Sequence, residues 1–482
     1  MLGVIHVLGL ILAAFGATFA LPLVTSIINE DGTALAFLLS GAATSGLGLL
    51  IAAASRHHAR ELRPRDGFLL VTLVWVLMSL SASLPLLLLL PKLPFTSAYF
   101  EAMSGLTTTG VTRLSGLDTL APAINVWRCC LQWLGGLGMI VLALAVLPLL
   151  GVGGMQLYKA ETPGPVKDAK MTPRITGTAK SLWLTYVVVT AAGMVALKLA
   201  GMDWLDAVCH GFTAIGLGAF SNHDANIAYF ASPQIELTLT ILTLIAALGF
   251  ARHFVALRHL SLEVYARDPE VRAMLVLLAG SVIGIAMLLD FNHVYPSFAI
   301  DLEHALFNVV STGTTSGMVS QDYTRWPAFA PWWLLFLSCV TSITGSAGGG
   351  IKMFRTLLLA RQAGREVKVL VHPSAVAPVR IGGRPVPERI GLSVLAFIFL
   401  YFMTAALLTF VLLLSGLDFQ SSLGAIISTL NNTGSGLGVV GPGHTYQALT
   451  QFQAWICTLA MLLGRLEIFS VLVLFTPMFW RK

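Results

Sequence analysis

Long apolar segments recur ten times along the chain, at about residues 2–28, 33–54, 67–90, 123–150, 179–200, 232–257, 272–289, 330–358, 389–415 and 449–478. Each is long enough, or nearly so, to cross a hydrocarbon core of about 30 Å as a helix. In lipid every backbone N–H and C=O must find an internal partner, so spanning structure reduces to helices or closed barrels. Segments of this length exclude a barrel, whose strands are about half as long. Only 11% of the 482 residues are charged and 56% are hydrophobic, against about 25% charged in soluble domains. The expected fold class is therefore all-α integral membrane, with ten spanning helices. The first run lacks a basic leader and continues to about Ile28, so it is expected to be retained as a span. Cys129, Cys130, Cys209, Cys339 and Cys457 form no CxxC pair, and they read as small buried residues.

Between the spans lie four weaker apolar stretches of about a dozen residues, near 97–109, 204–215, 302–313 and 420–433. A dozen helical residues rise about 18 Å, too little to span, which suits re-entrant half-helices. Placing 55–66, 151–180, 252–272, 352–389 and the C-terminus in the cytoplasm puts 23 of the 29 Lys and Arg there. That asymmetry is the positive-inside signature. Both termini then lie inside, and the half-helices all lie outside. The outer side carries 13 acidic residues, among them Glu101, Asp203, Asp206, Asp224, Asp301, Glu303 and Asp418, against five basic ones. Such a vestibule would concentrate cations, although translocated loops also carry acids without any such role.

The half-helices end alike: "TTTGV" (107–111), "IGLGA" (215–219), "TTSGM" (314–318) and "TGSGL" (433–437). Gly110, Gly218, Gly317 and Gly436 are spaced by 108, 99 and 119 residues, each between two spans. The unit is span, half-helix, loop, span, four times over, so eight spans form four pseudo-symmetric repeats around a central pore. The organisation reads as two extra N-terminal helices (1–60) and repeats at 61–160, 161–262, 263–370 and 371–482, the third with a broken second helix. Extended backbone at membrane depth survives where it lines a wet cavity. Four such loops around one axis offer rings of carbonyls that replace the hydration shell of a monovalent cation. Candidate ligands are Thr107, Thr108, Thr109 and Gly110; Ile215, Gly216, Leu217 and Gly218; Thr314, Thr315, Ser316 and Gly317; and Asn432, Thr433, Gly434, Ser435 and Gly436. In the second loop Gly216, Gly218 or Ala219 can hold the pore position, and Gly218 matches the spacing in "TGSGL". The loops contain no carboxylate, which disfavours a divalent-cation filter. "NNT" (431–433) matches a glycosylation sequon but falls inside the fourth loop, so the match is accidental.

"TSITGSAGGGIKMF" (341–354) places Gly345, Gly348, Gly349 and Gly350 inside an apolar run. Each glycine weakens a helix interior by about 1 kcal/mol relative to alanine. Such a segment suits a two-state gate, here Gly345, Ser346, Ala347, Gly348, Gly349, Gly350 and Lys352; close helix packing through small residues is the plainer alternative. It is no phosphate-binding loop, because Ile351 separates Gly350 from Lys352 inside a span. Lys352 is expected to snorkel toward the cytoplasm. Arg465 lies well inside the last apolar run, where a lone arginine costs about 2.5–3.5 kcal/mol. It reads either as a positive barrier below the loops or as a partner of Glu467 or loop carbonyls. His210, Asp206 and Asp290 are weaker candidates for a proton relay.

"SGLTTTGVT" (104–112), "QWLGGLGMI" (132–140), "AIGLGAFSNHD" (214–224), "TGSAGGGIK" (344–352), "NNTGSGLG" (431–438) and "GRLEIF" (464–469) together resemble the TrkH family of bacterial potassium-uptake subunits, within the Trk/Ktr/HKT superfamily. The resemblance covers nearly the whole chain, and the extra N-terminal spans suit TrkH better than KtrB. It departs at Ala219, where a second glycine is usual. It implies a K⁺-translocating homodimer in the bacterial inner membrane, gated by the intramembrane loop. It also implies a cytosolic TrkA-type ring that binds NAD or ATP, with no organic cofactor in this chain. The basic cytoplasmic loops could dock that partner or anionic lipid; nucleic acid is not expected. "HPSAVAPVRIGGRPVPER" in the 359–389 loop reads as an extended hairpin. A passive conductor and a proton- or sodium-coupled symporter both remain open, Glu467 being the one acid deep in a span. An enzyme with Ser346 or Ser316 as nucleophile lacks a placed base.

Overall fold

The computed structural model of the chain describes residues 2–58, 64–145, 175–375 and 377–481. Two N-terminal spans come first. α1 (Leu2–Gly16) and α2 (Ala20–Asn29) run on through a 3₁₀ turn, and α3 (Ala34–Ser55) packs back against α1. The contact is close because it is made by glycine: a Cβ on Gly48 would sit 2.4 Å from the Ala13 nitrogen.

Four three-part units follow. They are α4 (Pro64–Leu89), α5 (Phe95–Leu106), α6 (Pro122–Ala145); α7 (Ile175–Leu199), α8 (Trp204–Gly216), α9 (Pro233–Ala247) with α10 (Phe250–His259); after the short α11 (Glu263–Arg267), α12 (Pro269–Phe291), α13 (Phe298–Gly313), α14 (Phe329–Val340) with α15 (Met353–Val371); and α16 (Glu388–Leu414), α17 (Phe419–Leu430), α18 (Gln451–Arg465) with α19 (Phe469–Leu472). A four-residue α20 (Pro477–Trp480) ends the chain.

The packing closes into a ring. α6 touches the half-helices α5 and α8, α9 touches α8 and α13, α14 touches α13 and α17, and α18 touches α17 and α5. Each second helix thus wedges between its own half-helix and the next. Side chains facing lipid, such as Leu199, Val276, Phe399 and Phe410, are apolar and exposed, while the half-helices are buried on nearly every face.

Among the described residues six helices are apolar and long enough to span without interruption, and two more candidate spans are pairs bent by 89° (α9–α10) and 106° (α18 with the 469–475 segment). The continuous spans expected over 232–257 and 449–478 are therefore corrected. Gly249 (φ 83°) makes the first break, and Glu467 (φ 54°) and Ile468 (φ 38°) make the second. The break in the third unit falls where its glycines are, at 341–352. The 359–389 expectation is corrected in part: α15 continues helical to Val371, and the hairpin is confined to β1 (Arg380–Ile381) and β2 (Arg384–Pro385). The end of the 123–150 span, most of the 151–180 loop and the 160/161 boundary fall outside the described residues. All five cysteines are free and four are buried.

Candidate functional site

The four half-helices end in one recurring hydrogen-bond pattern. Thr109, Gly218, Ser316 and Thr433 donate their N–H to Ser104, Thr213, Ser311 and Ser428 carbonyls, each at 2.9 Å. The residue before each donor takes a left-handed backbone: Thr108 (57°), Leu217 (53°), Thr315 (62°) and Asn432 (53°). These equivalences set the register. Gly110, Ala219, Gly317 and Gly434 occupy the next position, and all four line one open cavity of ≈ 200 Å³. Three are glycines with φ of 77°, 72° and 112°, a region that costs other residues about 1–2 kcal/mol.

The alignment of Gly218 and Gly436 with Gly110 and Gly317 is thereby corrected by one and two residues. Both glycines exist for packing behind the loops. A Cβ on Gly218 would lie 2.3 Å from the Gln132 side chain of α6, and one on Gly436 would lie 3.1 Å from the Gly424 backbone of α17. Ala219 differs from its three counterparts. Its carbonyl accepts from Asn226 Nδ2 at 3.0 Å, and its methyl lies 2.5 Å and 3.3 Å from where a Cβ on Gly434 and on Gly317 would stand.

The hydroxyls serve largely to hold the loops. Thr107 and Thr109 share a 2.8 Å hydrogen bond, Ser316 donates to Gly218 O at 3.1 Å, Ser435 donates to Gly317 O at 3.3 Å, and Asn432 Nδ2 reaches Thr109 Oγ1 at 2.9 Å. Thr314 Oγ1 turns back onto Val310 O at 2.8 Å. Ile215 and Gly216 belong to the end of α8, a turn short of the ring. The C-terminal ends of four helices point at one place, so their partial negative charges favour a cation there. At the far ends Asp203 and Asp418 cap α8 and α17, accepting from Asp206 N (2.6 Å) and Ser421 N (3.0 Å).

A scaffold that sequence reading missed stands behind the loops. Arg128 of α6 pairs with Glu101 of α5 at 2.7 Å, both 1% exposed, donates to Ser221 O at 3.0 Å and lies 4.3 Å from the Phe220 ring centre. Glu101, expected among the vestibule acids, is thus interior; Asp206 and Asp301 are buried too. Asn431 of the sequon is interior, donating to Ser338 Oγ at 2.9 Å and accepting from the Tyr401 hydroxyl at 2.6 Å. His210 is buried, with Nδ1 on Asp206 O (2.9 Å) and Nε2 on Ser221 Oγ (3.0 Å), so it ties α8 to the loop that follows it. His223 sits between Asp118 (2.5 Å) and Asp206 (3.0 Å). Burial alone would lower its pKa, but hydrogen bonds to both carboxylates raise it.

Residues 341–352 pack directly beneath the loops. Gly349 N donates to Thr315 Oγ1 at 3.0 Å. A Cβ on Gly348 would stand 2.7 Å from that same oxygen, and one on Gly349 would stand 2.0 Å from Asn431 O. Gly345 and Gly350 have φ of 81° and 77°. Ser346 Oγ donates to Ile343 O at 2.7 Å, closing an internal turn. Arg465 crosses from α18. Its Nη1 donates to Ala347 O at 2.6 Å and its Nη2 to Gly135 O of α6 at 2.8 Å, while Nε has no partner among the described residues. Of the readings open for Arg465, pairing with Glu467 is excluded, since Arg355 holds that carboxylate at 2.6 Å. Arg465 also ends its helix instead of sitting inside it. The snorkelling expected of Lys352 is corrected: the side chain is 5% exposed and turns inward, its ammonium donating to Gly348 O. At its other end the segment is clamped, with Arg252 of α10 donating to Thr344 O at 2.9 Å and Glu270 of α12 accepting from Thr344 N at 3.0 Å.

The family described as TrkH, cation transport protein, matches residues 34–482. The chain is 44% identical over 478 residues to the Trk system potassium uptake protein TrkH of Escherichia coli K12, covering 99% of each. It is 45% identical over 480 residues to the Trk system potassium uptake protein TrkH of Halomonas elongata, again covering 99% of each. The crystal structure of the potassium transporter TrkH from Vibrio parahaemolyticus superimposes with a TM-score of 0.92 at 39% identity, over 100% of this chain and 99% of that one.

Proposed function

The chain belongs to the TrkH family of cation transport proteins, and from that premise we propose that it is a channel-like potassium-uptake pore of the bacterial inner membrane. The convergence of Gly110, Ala219, Gly317 and Gly434 on a single cavity carries this reading. Uncharged carbonyls and hydroxyls at the negative ends of four helices favour a monovalent cation that sheds its water. Potassium is the transported ion under this reading, and no organic cofactor is needed in the chain. Residues 1–60 flank four repeats with boundaries at 61–160, 161–262, 263–370 and 371–482.

Residues 344–351 act as the gate. They occupy the space directly under loops three and four and are held by Arg465, Arg252 and Glu270 from three other helices and by Thr315 of the third loop. A segment short of helical bonds and pinned by a few side chains has two accessible arrangements separated by a few kcal/mol. Arg465 then serves both as a peg for the closed loop and as a positive charge beneath the cation path. The protein functions as a homodimer with a cytosolic, nucleotide-binding TrkA-type ring. That ring pulls on the α10–α12 side, where Arg252 and Glu270 meet the gate. Both termini face the cytoplasm, and lipid bathes the apolar flanks. Coupled symport is the competing reading. Glu467, the acid the sequence offers it, is held by Arg355 at 2.6 Å.

Flux into liposomes holding this protein alone, with no proton or sodium gradient, tests the reading. Passive K⁺ and Rb⁺ entry that outpaces Na⁺, and accelerates when residues 345–350 are deleted, is expected. Absence of flux until a second ion's gradient is imposed would replace the pore with a symporter.

A further inference from the structure

Among the described residues one group of side chains has the composition of a metal site: Glu236 on α9 with Glu303 and His304 on α13, their ligating atoms all within 4.8 Å of one another. Glu236 is 5% exposed, with Ser320 beside its carboxyl group, yet its Oε2 has no hydrogen-bond partner among the described residues, and neither has His304 Nδ1. The two atoms face each other at 3.9 Å, too far for a hydrogen bond. A buried acceptor left without a partner costs about 1–3 kcal/mol, more when charged. The two carboxylates, Glu236 and Glu303, border an open groove of ≈ 270 Å³ walled by Pro233, Thr240, Leu302 and Leu306. The His304 ring is held from behind by Tyr295, with ring centres 4.7 Å apart. Asp301, buried one helical turn before His304 and with neither carboxylate oxygen hydrogen-bonded among the described residues, adds a further carboxylate on that face.

We propose that Glu236, Glu303 and His304 bind a divalent transition metal, Zn²⁺ being the closest match, which staples the second helix of repeat two to the half-helix of repeat three. An imidazole among the ligands argues against Mg²⁺ and Ca²⁺, which take oxygen. Zn²⁺ accepts two carboxylates and one imidazole at about 2.0–2.2 Å and keeps a fourth position for water, which the groove can supply. Ligands of a tetrahedral zinc stand about 3.3 Å apart on that geometry, so side-chain rotation of an ångström or so closes the site without moving either helix.

The site has a mechanical reach. α9 ends at Ala247, and at the break just beyond it a Cβ on Gly249 would lie 3.2 Å from Gly345 O of the loop beneath the pore. A metal that fixes the outer end of α9 therefore restrains the helix whose inner end abuts that loop. This part rests on the pore reading above, and slower flux is the expected result.

Zinc binding to the purified, chelator-stripped full chain, followed by calorimetry or equilibrium dialysis, tests the assignment independently of transport. The account expects one saturable Zn²⁺ per chain. Affinity falls at least tenfold in Glu236→Gln and in His304→Gln and is unchanged in His223→Gln, which disables the other histidine–carboxylate cluster. His304→Asn carries the test if either variant fails to purify as a single species. No saturable binding, binding that survives both substitutions, or binding lost in His223→Gln alone would overturn the site. Rubidium flux without zinc, measured on the same preparations, reports separately on the pore. Zinc slowing of that flux in the parent but not in His304→Gln supports the staple, and equal slowing in both refutes it.

Discussion

Placing a methyl on Gly317 should cost selectivity before it costs folding. The backbone there has φ 72°, which penalises any residue with a Cβ by about 1–2 kcal/mol. The added Cβ would stand 1.5 Å from Thr433 O and 3.3 Å from the Ala219 methyl. Carbon and carbonyl oxygen ordinarily approach no closer than about 3.3 Å. The third or fourth loop must therefore move by nearly 2 Å, and overpacking of this sort costs about 1–3 kcal/mol more. The atom displaced is a backbone carbonyl of the ring proposed to replace the ion's water. If only about 1.4 kcal/mol of that strain appears as lost preference for K⁺ over Na⁺, discrimination falls tenfold. Gly317→Ala and Gly317→Ser, reconstituted beside the parent and assayed for Rb⁺ and Na⁺ entry from the same liposome batches, should show that fall with a smaller change in total flux. Unchanged discrimination in protein that folds normally would mean that the Gly317–Thr433 contact does not face the ion, and the argument from register would fail.

Further outcomes follow from the same geometry. Ala219→Gly removes the one methyl at ring level and should raise Rb⁺ flux, read in the same assay. Arg465→Gln loses the charge-assisted bonds to Ala347 and Gly135 carbonyls, worth about 1.5–3 kcal/mol each, and should speed basal flux by about tenfold through an unpegged gate. Arg252→Gln leaves Asp268 and Glu270, 6% and 0% exposed, without their cation; such a break typically costs about 3–5 kcal/mol, visible as a lowered Tm. Protonated His223 holds the 118 and 206 carboxylates together, and its raised pKa makes that contribution full below about pH 6.5 and lost as pH rises through the folded value. The Tm difference between the parent and His223→Gln should accordingly shrink in alkaline buffer. Swapping Arg380 and Arg384 for Glu should weaken co-purification with the cytosolic ring.

Hydropathy and length made most of the architecture legible. Half-helices expected at 97–109, 204–215, 302–313 and 420–433 lie at Phe95–Leu106, Trp204–Gly216, Phe298–Gly313 and Phe419–Leu430. The break at 341–352 was visible because four glycines cluster there. The bends at Gly249 and at Glu467–Ile468 were not, because an apolar run continues through each and only one or two residues make the turn. Register failed for a related reason. A glycine in sequence does not say which way its missing side chain would point, and Gly218 and Gly436 are small to admit Gln132 and the α17 backbone. Arg465 stood out through the cost of burying it, yet its partners, Ala347 and Gly135, come from remote parts of the chain. Arg128 and Glu101 stayed hidden because charge counting treats a buried pair as two surface residues.

The central claim is that four loops offer one cation site on a common axis. Anomalous scattering from crystals grown in rubidium or thallium measures this directly. The account predicts a peak enclosed by the Thr109, Gly218, Ser316 and Thr433 segments, just inside the Gly110, Ala219, Gly317 and Gly434 ring. A peak elsewhere, with none at that level, would contradict it.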